Sequence, residues 1–359
     1  MVLTVLDLPV PFQPRRILIV LLGAIGDVTR ALPLLTRVRR AYPHAYIAWA
    51  IEPAAAALLD YHPALNETIL YRRTQGARTF LPFLRKVRLQ QFDFVLDLQR
   101  HAKSGLVSWW SHAPVRLGFH RSNTKEGNWL FNTHEIAPIA DFSLKLGQYL
   151  RFADALQLPD NEVRFDLRLR PVEEQKVEQL LTNTPQPFAA FFLGSRWPSR
   201  FWFADATAAV ARTLIRDYGM GVVLVGGQGE RDFAQAVEQA TGAGVTNLVS
   251  RTSLRDLIGL FARARFALGP DSGPMHIAAA AGIPVISLWG ATSPIRSAPW
   301  GSEDLALQGK TACSPCYTRT CPIERRCMQR ITPEQVLAVI RTAIERQEEG
   351  NRQQATVKS

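Results

Sequence analysis

The chain reads as an α/β protein built from two doubly wound halves, and three observations carry that reading. Buried apolar strand patterns run into glycine-rich turns, as in RILIVLLGAIGD from Arg16 and GVVLVGG from Gly221. Strand patterns alternate with segments whose apolar residues recur at helical spacing. The alternation then starts afresh after the polar, proline-containing stretch TNTPQP at 182–187.

Each element follows from local chemistry. After the first turn, ALPLLTRVRRAYP has helical periodicity and a stop at Pro43; AYIAWAI and QFDFVLDL (91–98) are the next strands. The second half opens with the strand FAAFFLG, continues with the helix ADATAAVARTLIRDYG, and returns to a strand in GVVLVGG. Ser253 followed by Asp256 forms a capping-box pattern, and the helix it opens leads to RFALG, the turn GPDSGPMH and the strand IPVISLWG. In ITPEQVLAVI, Thr332 is the cap, Pro333 the first helical residue and Gln335 the partner that closes the box, with Ile331 and Val336 spaced as a hydrophobic staple. The expected organisation is a first domain at 15–181, a second at 188–330, a terminal helix at 331–348 and a flexible polar tail at 349–359.

With 359 residues, 47% hydrophobic and 20% charged, the chain has a globular balance and length enough for two cores. No apolar run reaches the roughly 18 residues of a membrane span. The start, MVLTVLDLPVPFQP, lacks a basic region and carries three prolines, which reads against a signal peptide and for a cytoplasmic location. The net charge of +11 suits a partner bearing phosphate or carboxylate, or an anionic membrane surface. No nucleic-acid-binding signature accompanies it, so no nucleic-acid partner is expected.

In an open parallel sheet, ligands bind beyond the carboxyl ends of the strands, where helix starts present free amides. LLGAIGDV has Gly23 and Gly26 but not the third glycine of a dinucleotide fingerprint. Its Asp27 is either a helix-start carboxylate or a catalytic one. GPDSGPMH places Asp271, Ser272 and His276 together, yet it is not the G-x-S-x-G elbow of a serine hydrolase. The arrangement suits an anion held at a helix start, with His276 as a cap or ligand contact. All four cysteines lie in CSPCYTRTCPIERRCM, and Cys313, Cys316, Cys321 and Cys327 could bind a structural zinc or iron–sulfur centre.

Taken in order, GAIGDVTRALPLL, GSRWPSRFW, LVGGQGE, GPDSGPMHIAAAAGIPVISLWGATSP and the cysteine-rich segment resemble glycosyltransferase family 9, the ADP-heptose:lipopolysaccharide heptosyltransferases and their relatives. The resemblance runs from about residue 15 to 345. It implies the GT-B fold, two Rossmann-like domains facing a central cleft, the first meeting the acceptor and the second the nucleotide sugar. It implies inverting transfer of a heptose from ADP-heptose to the lipopolysaccharide inner core, without a required cofactor, by an enzyme peripheral to the inner membrane.

The resemblance makes Asp27 the general base, with Gly26 beside it. It points to the amides of Ser272, Gly273 and Met275 as holders of the leaving diphosphate, with Arg200 where the family commonly has a lysine. Ser195 and Arg196 share that loop. Asp271 would orient the loop or reach sugar hydroxyls. Gly226, Gly227 and Glu230 would meet the nucleoside, although Glu230 also reads as a helix-start carboxylate. Thr292 and Ser293 fall in a further donor-side loop. On the acceptor side the candidates are Gln99, Arg100, His101 and Lys103, joined by Arg121 and Lys125 unless those two are a solvated face. The alternatives left open are a GT-B-fold nucleotide-sugar epimerase, a transferase of another sugar or acceptor, and a binding module without activity.

Overall fold

A computed structural model of the chain describes residues 12–140, 142–159 and 161–358. They form two compact units that divide between Arg168 and Leu169.

In the first unit, β1 (Arg16–Val20), β2 (Tyr46–Ile51), β3 (Glu67–Leu70), β4 (Phe94–Asp97), β5 (Val115–Gly118) and β6 (His134–Glu135) form a parallel sheet. Their order is β3-β2-β1-β4-β5-β6. Both faces are covered: Leu18 and Val20 pack with Phe83, Leu84 and Val87, while Ile17 and Ile19 on the other face are also fully buried. A strand buried on two sides needs a continuous apolar run, which is why RILIV does not alternate. Each such side chain contributes about 1.5–3 kcal/mol of burial.

The second unit repeats the plan with β7 (Phe188–Phe192), β8 (Gly221–Val225), β9 (Val245–Asn247), β10 (Ala267–Pro270), β11 (Val285–Trp289) and β12 (Ala306–Gln308). The order is β12-β11-β10-β7-β8-β9, again all parallel. Val210 and Leu214 of the helix Ala204–Tyr218 share its core with Val336, Ile340 and Ala343 of the terminal helix. Both expected capping boxes form. Ser253 Oγ accepts from Asp256 N at 3.2 Å, and Ser253 N donates to Asp256 Oδ2 at 2.8 Å. Thr332 N donates to Gln335 Oε1 at 3.0 Å, and Gln335 N to Thr332 Oγ1 at 3.3 Å.

The division between units differs from the expected one at 182–187. The helix Pro171–Leu181 belongs to the second unit, because Glu173 takes both arms of the Arg255 guanidinium, at 2.9 and 2.6 Å, and Lys176 Nζ meets Asp256 at 2.5 Å. TNTPQP is a surface turn inside that unit, not the linker. The terminal helix spans Pro333–Lys358 and so passes residue 348, where its end was expected. The expected flexible tail at 349–359 falls where no side chain is described, and residue 359 lies outside the described residues. Among the described residues no helix is long and apolar enough to cross a membrane.

Both sheets place a topological switch point at a glycine turn. In the first, chain direction across the sheet reverses between β1 and β4, where Val20 pairs with Asp97. In the second it reverses between β7 and β10, where Phe191 pairs with Leu268. The loops beyond these four strand ends carry Gly26, Asp27 and residues 99–103 in the first unit and Ser195, Arg196, Arg200 and residues 271–276 in the second, while Gly226, Gly227 and Glu230 follow β8 and Thr292 and Ser293 follow β11.

Candidate active site

At the first switch point the helix Ile25–Ala41 begins directly after the Leu21–Ala24 turn, and Asp27 lies in its first turn. Asp27 does not cap the helix; residue Ala24 holds the cap position and makes no side-chain bond. The carboxylate instead binds two cations through one oxygen: Arg30 Nη2 donates to Oδ1 at 2.6 Å and Lys145 Nζ at 2.8 Å. Tyr149, one turn beyond Lys145 on the helix Lys145–Ala155, also hydrogen-bonds to Asp27. Burial by itself would raise the pKa of Asp27, but Lys145 and then Arg30 outweigh it and hold the carboxyl well below the usual range. Burial and the neighbouring Asp27 charge push the Tyr149 hydroxyl far up.

The loop after β4 supports this turn. Gln99 Oε1 accepts from Leu22 N at 3.0 Å, tying the two loops together. Below it Asp97, fully buried, accepts from Asn128 Nδ2 at 2.8 Å, Gln99 N at 3.1 Å and Ser104 Oγ at 3.2 Å. Burial pushes its pKa up to about 7 despite those bonds. Arg100 stacks over the Phe119 ring at 4.3 Å and donates to Gln148 Oε1 at 2.7 Å. His101 meets Glu126 at 3.1 Å, and the Lys103 ammonium stands 5.6 Å from the Tyr71 ring centre. Lys125 joins the loop through its backbone, donating to Arg100 O at 2.7 Å; Arg121 N donates to Glu135. Gly26 is buried in the first helical turn.

At the second switch point Asp271 is a hub. Its Oδ2 takes Thr292 Oγ1 at 2.7 Å and Arg200 Nη1 at 2.9 Å, and its carbonyl takes Ser195 Oγ at 2.8 Å. Arg200 lies over the Trp197 ring at 4.1 Å. Burial lowers its pKa and Asp271 opposes that shift. Arg196 shares the loop with Ser195, and Ser293 is occupied as a cap, accepting from Ile295 N at 3.4 Å.

Ser272 is the N-cap residue of the helix Gly273–Ala280, yet it makes no side-chain cap bond. Among the described residues its Oγ is buried without a hydrogen-bond partner. The amides of Gly273 and Met275, in the first helical turn, have no intrahelical acceptor, and Pro274 has no amide to offer. Hydroxyl, amides and helix dipole together make an anion cradle. His276 is buried in the same turn. Glu230 accepts from Gly227 N at 2.7 Å and lies so close to Gly194 and Gly226 that a side chain at Gly194 would strike its carboxylate. Glu230 thus ends the short 3-10 turn Gln228–Glu230 and is the N-cap residue of the helix Arg231–Thr241, a helix-start carboxylate.

The four cysteines lie near one another: burial first, and then the nearby Cys321, Cys313 and Cys316, push the Cys327 thiol up, and each cysteine has other contacts as well. Cys313 pairs with Thr311 and Cys316 with Thr318; Cys321 accepts from Arg325 N, while Cys327 is buried against Gly290. Among the described residues no group of three or more His, Cys, Asp and Glu is placed to hold a metal ion, so the zinc or iron–sulfur reading finds no ligand set. The segment acts as a brace instead. Ser199 bonds the carbonyls of Thr318 and Arg319, Arg325 Nη1 donates to Phe201 O, and Ser314 Oγ donates to Gly290 O. It therefore supports both loops that meet at Asp271.

Three contributors escape a reading of the sequence: Lys145 and Tyr149, more than a hundred residues from Asp27, and the buried Asp97. Their only linear signal is the i, i+4 spacing of Lys145 and Tyr149 on one helical face.

The chain is similar to known proteins in sequence and in fold. The "Lipopolysaccharide core heptosyltransferase OpsX" of Haemophilus influenzae is 26% identical over 295 residues, covering 81% of this chain and 83% of that protein. The "Lipopolysaccharide heptosyltransferase 1" of Pseudomonas aeruginosa is 29% identical over 320 residues, covering 85% and 87%. The solved ADP-heptose lps heptosyltransferase II of E. coli superposes with a TM-score of 0.73 at 21% identity, covering 93% of this chain and 99% of that one, which identifies the fold as GT-B. The model of "Glycosyltransferase family 9 (heptosyltransferase)" matches residues 80–326, and with most of its length so matched the chain belongs to glycosyltransferase family 9.

Proposed function

We propose that this glycosyltransferase moves a heptose from ADP-heptose to an anionic sugar of the lipopolysaccharide core, with inversion at the anomeric carbon. The observation that carries the donor half is the unpartnered Ser272 hydroxyl beside the free amides of Gly273 and Met275. The names of the relatives supply the sugar and the acceptor class.

In the reaction, Asp27 accepts the proton of the acceptor hydroxyl as its oxygen bonds the anomeric carbon. The bond from that carbon to the diphosphate oxygen breaks, and the electron pair leaves with ADP. Ser272 Oγ and the Gly273 and Met275 amides take up the charge that develops there, with no reorganisation needed. Arg200 adds a cation whose direction is set by Asp271 and Trp197, while Ser195 and Thr292 hold Asp271 in turn. Gly226, Gly227 and Glu230 meet the nucleoside, with Arg196, Ser293 and His276 at the margin of the donor site. Gln99, Arg100, His101 and Lys103 line the acceptor side. The net charge of +11 supports a peripheral, salt-sensitive contact with anionic lipid, which sedimentation with vesicles at low and high salt tests.

The deciding experiment is transfer from purified ADP-heptose to a panel of truncated core acceptors, read by mass spectrometry. A mass gain of one heptose on a core acceptor is expected. Release of free heptose or an epimer with every acceptor would overturn the reading.

A further inference from the structure

The base and its cations pose a problem. A catalytic carboxylate works best when its pKa approaches the working pH. Asp27 is held far below that by Lys145 and Arg30, both on Oδ1. While both cations stay, the carboxylate is a poor proton acceptor. Arg30 belongs to the same helix three residues on, and its side chain is 8% exposed, so it is a fixed neighbour. Lys145 is different: its side chain is 31% exposed and reaches Asp27 from another helix.

Helix stability does not explain Lys145. It is the first residue of the helix Lys145–Ala155, where a cation opposes the helix dipole. The ammonium is kept there by its bond to Asp27, with Tyr149 as the third side chain on that carboxylate and Arg100 close enough to act on Tyr149. An incoming anion at this place would meet a lysine, a helix start and a nearby guanidinium.

We propose that Lys145 is the acceptor-sensing residue: an anionic group of the acceptor sugar, carboxylate or phosphate, takes its ammonium from Asp27 and so frees the carboxylate to receive the hydroxyl proton. The inference rests on Asp27 being the base. It makes the negative charge of the acceptor a requirement for activation, beyond its part in affinity. No bond other than the ammonium's ion pair is exchanged before the transfer step, so proton and electron pair move as described above.

The test uses the full chain with ADP-heptose and two acceptors, a truncated core sugar with a free carboxylate and its methyl ester. In the wild-type enzyme the ester should lose at least about tenfold in kcat/KM, the scale of one charge-assisted hydrogen bond. In Lys145→Met that preference should collapse. With Lys145 gone, Asp27 loses an opposite charge, its pKa rises, and the acid limb of kcat/KM should move upward by roughly 1 unit. Lys145→Arg should restore the preference. Circular dichroism and the melting temperature of the full chain report that each variant is folded. Equal use of acid and ester by the wild type, or an unchanged preference and acid limb in Lys145→Met, overturns the proposal. Asp27→Asn separates the two ideas: undiminished turnover in that variant removes the base itself, whereas an inactive Asp27→Asn with an unaltered Lys145→Met removes Lys145 alone.

Discussion

Arg200 Nη1 stands 2.9 Å from Asp271 Oδ2, and the pair joins the Trp197–Trp202 loop to the turn that follows β10. Both side chains are mostly buried, so neither charge is screened as it would be at the surface. The arginine balances Asp271, and under the proposed mechanism it serves a second demand by facing the donor diphosphate.

Removing Arg200 should expose that double duty. Arg200→Ala leaves Asp271 with Thr292 but no cation, a loss on the order of 3 kcal/mol in stability. Denaturant unfolding would show it, and the donor KM should rise or kcat fall in parallel. Arg200→Lys keeps the charge but not the planar contact with Trp197, and should recover stability only in part. Unchanged kinetics in Arg200→Ala would remove the residue from the donor site.

Asp27→Ala should lower kcat by about 10²–10⁴-fold, the usual contribution of a positioned base. Calorimetry should find ADP affinity within a few fold of the wild type, since the proposed donor cradle at Ser272 belongs to the other unit. Near-normal turnover would sink the mechanism.

Ser272→Ala should separate function from stability. Its hydroxyl is buried without a partner among the described residues, so removing it relieves an unsatisfied group and should leave the melting temperature unchanged or slightly raised. Donor affinity should nevertheless fall. A drop in melting temperature with ADP binding intact would show that the hydroxyl is structural.

Asp97 makes a pH signature of the fold. Its folded pKa of about 7 lies above the unfolded carboxylate value, so the folded state keeps a proton that the unfolded state releases. The stability this contributes is complete below about pH 4 and is lost as pH rises to about 7, then stays level. Asp97→Asn keeps a neutral side chain throughout. The wild type should therefore lose stability relative to Asp97→Asn across that window, by an amount on the order of 4 kcal/mol. A flat difference in denaturant unfolding from pH 4 to 8 would show that Asp97 is ionised in the fold.

Much of the architecture is legible in the linear chain because local rules govern it. RILIV and GVVLV, buried on two faces, need unbroken apolar runs, and Ser253 with Asp256 or Thr332 with Gln335 are caps whose partners lie three residues apart. The glycine turns that hold Asp27 and Ser272 are equally local. The division between units was less so: TNTPQP looks like a linker, but Glu173 and Lys176 bind the preceding helix to Arg255 and Asp256. No periodicity announces an ion pair across eighty residues.

By itself, then, the sequence determined the two parallel-sheet halves, the turns at their switch points and the identity of the residues beyond them. Only the tertiary structure decided what those residues do to one another. It brought Lys145 and Tyr149 onto Asp27, made Asp271 the hub of Ser195, Arg200 and Thr292, and turned the cysteine segment into a brace for their loops. The physical reason is range. Backbone propensity and burial pattern are set within a few residues, whereas the charge state of a carboxylate is set by whatever the fold packs within hydrogen-bond reach of it.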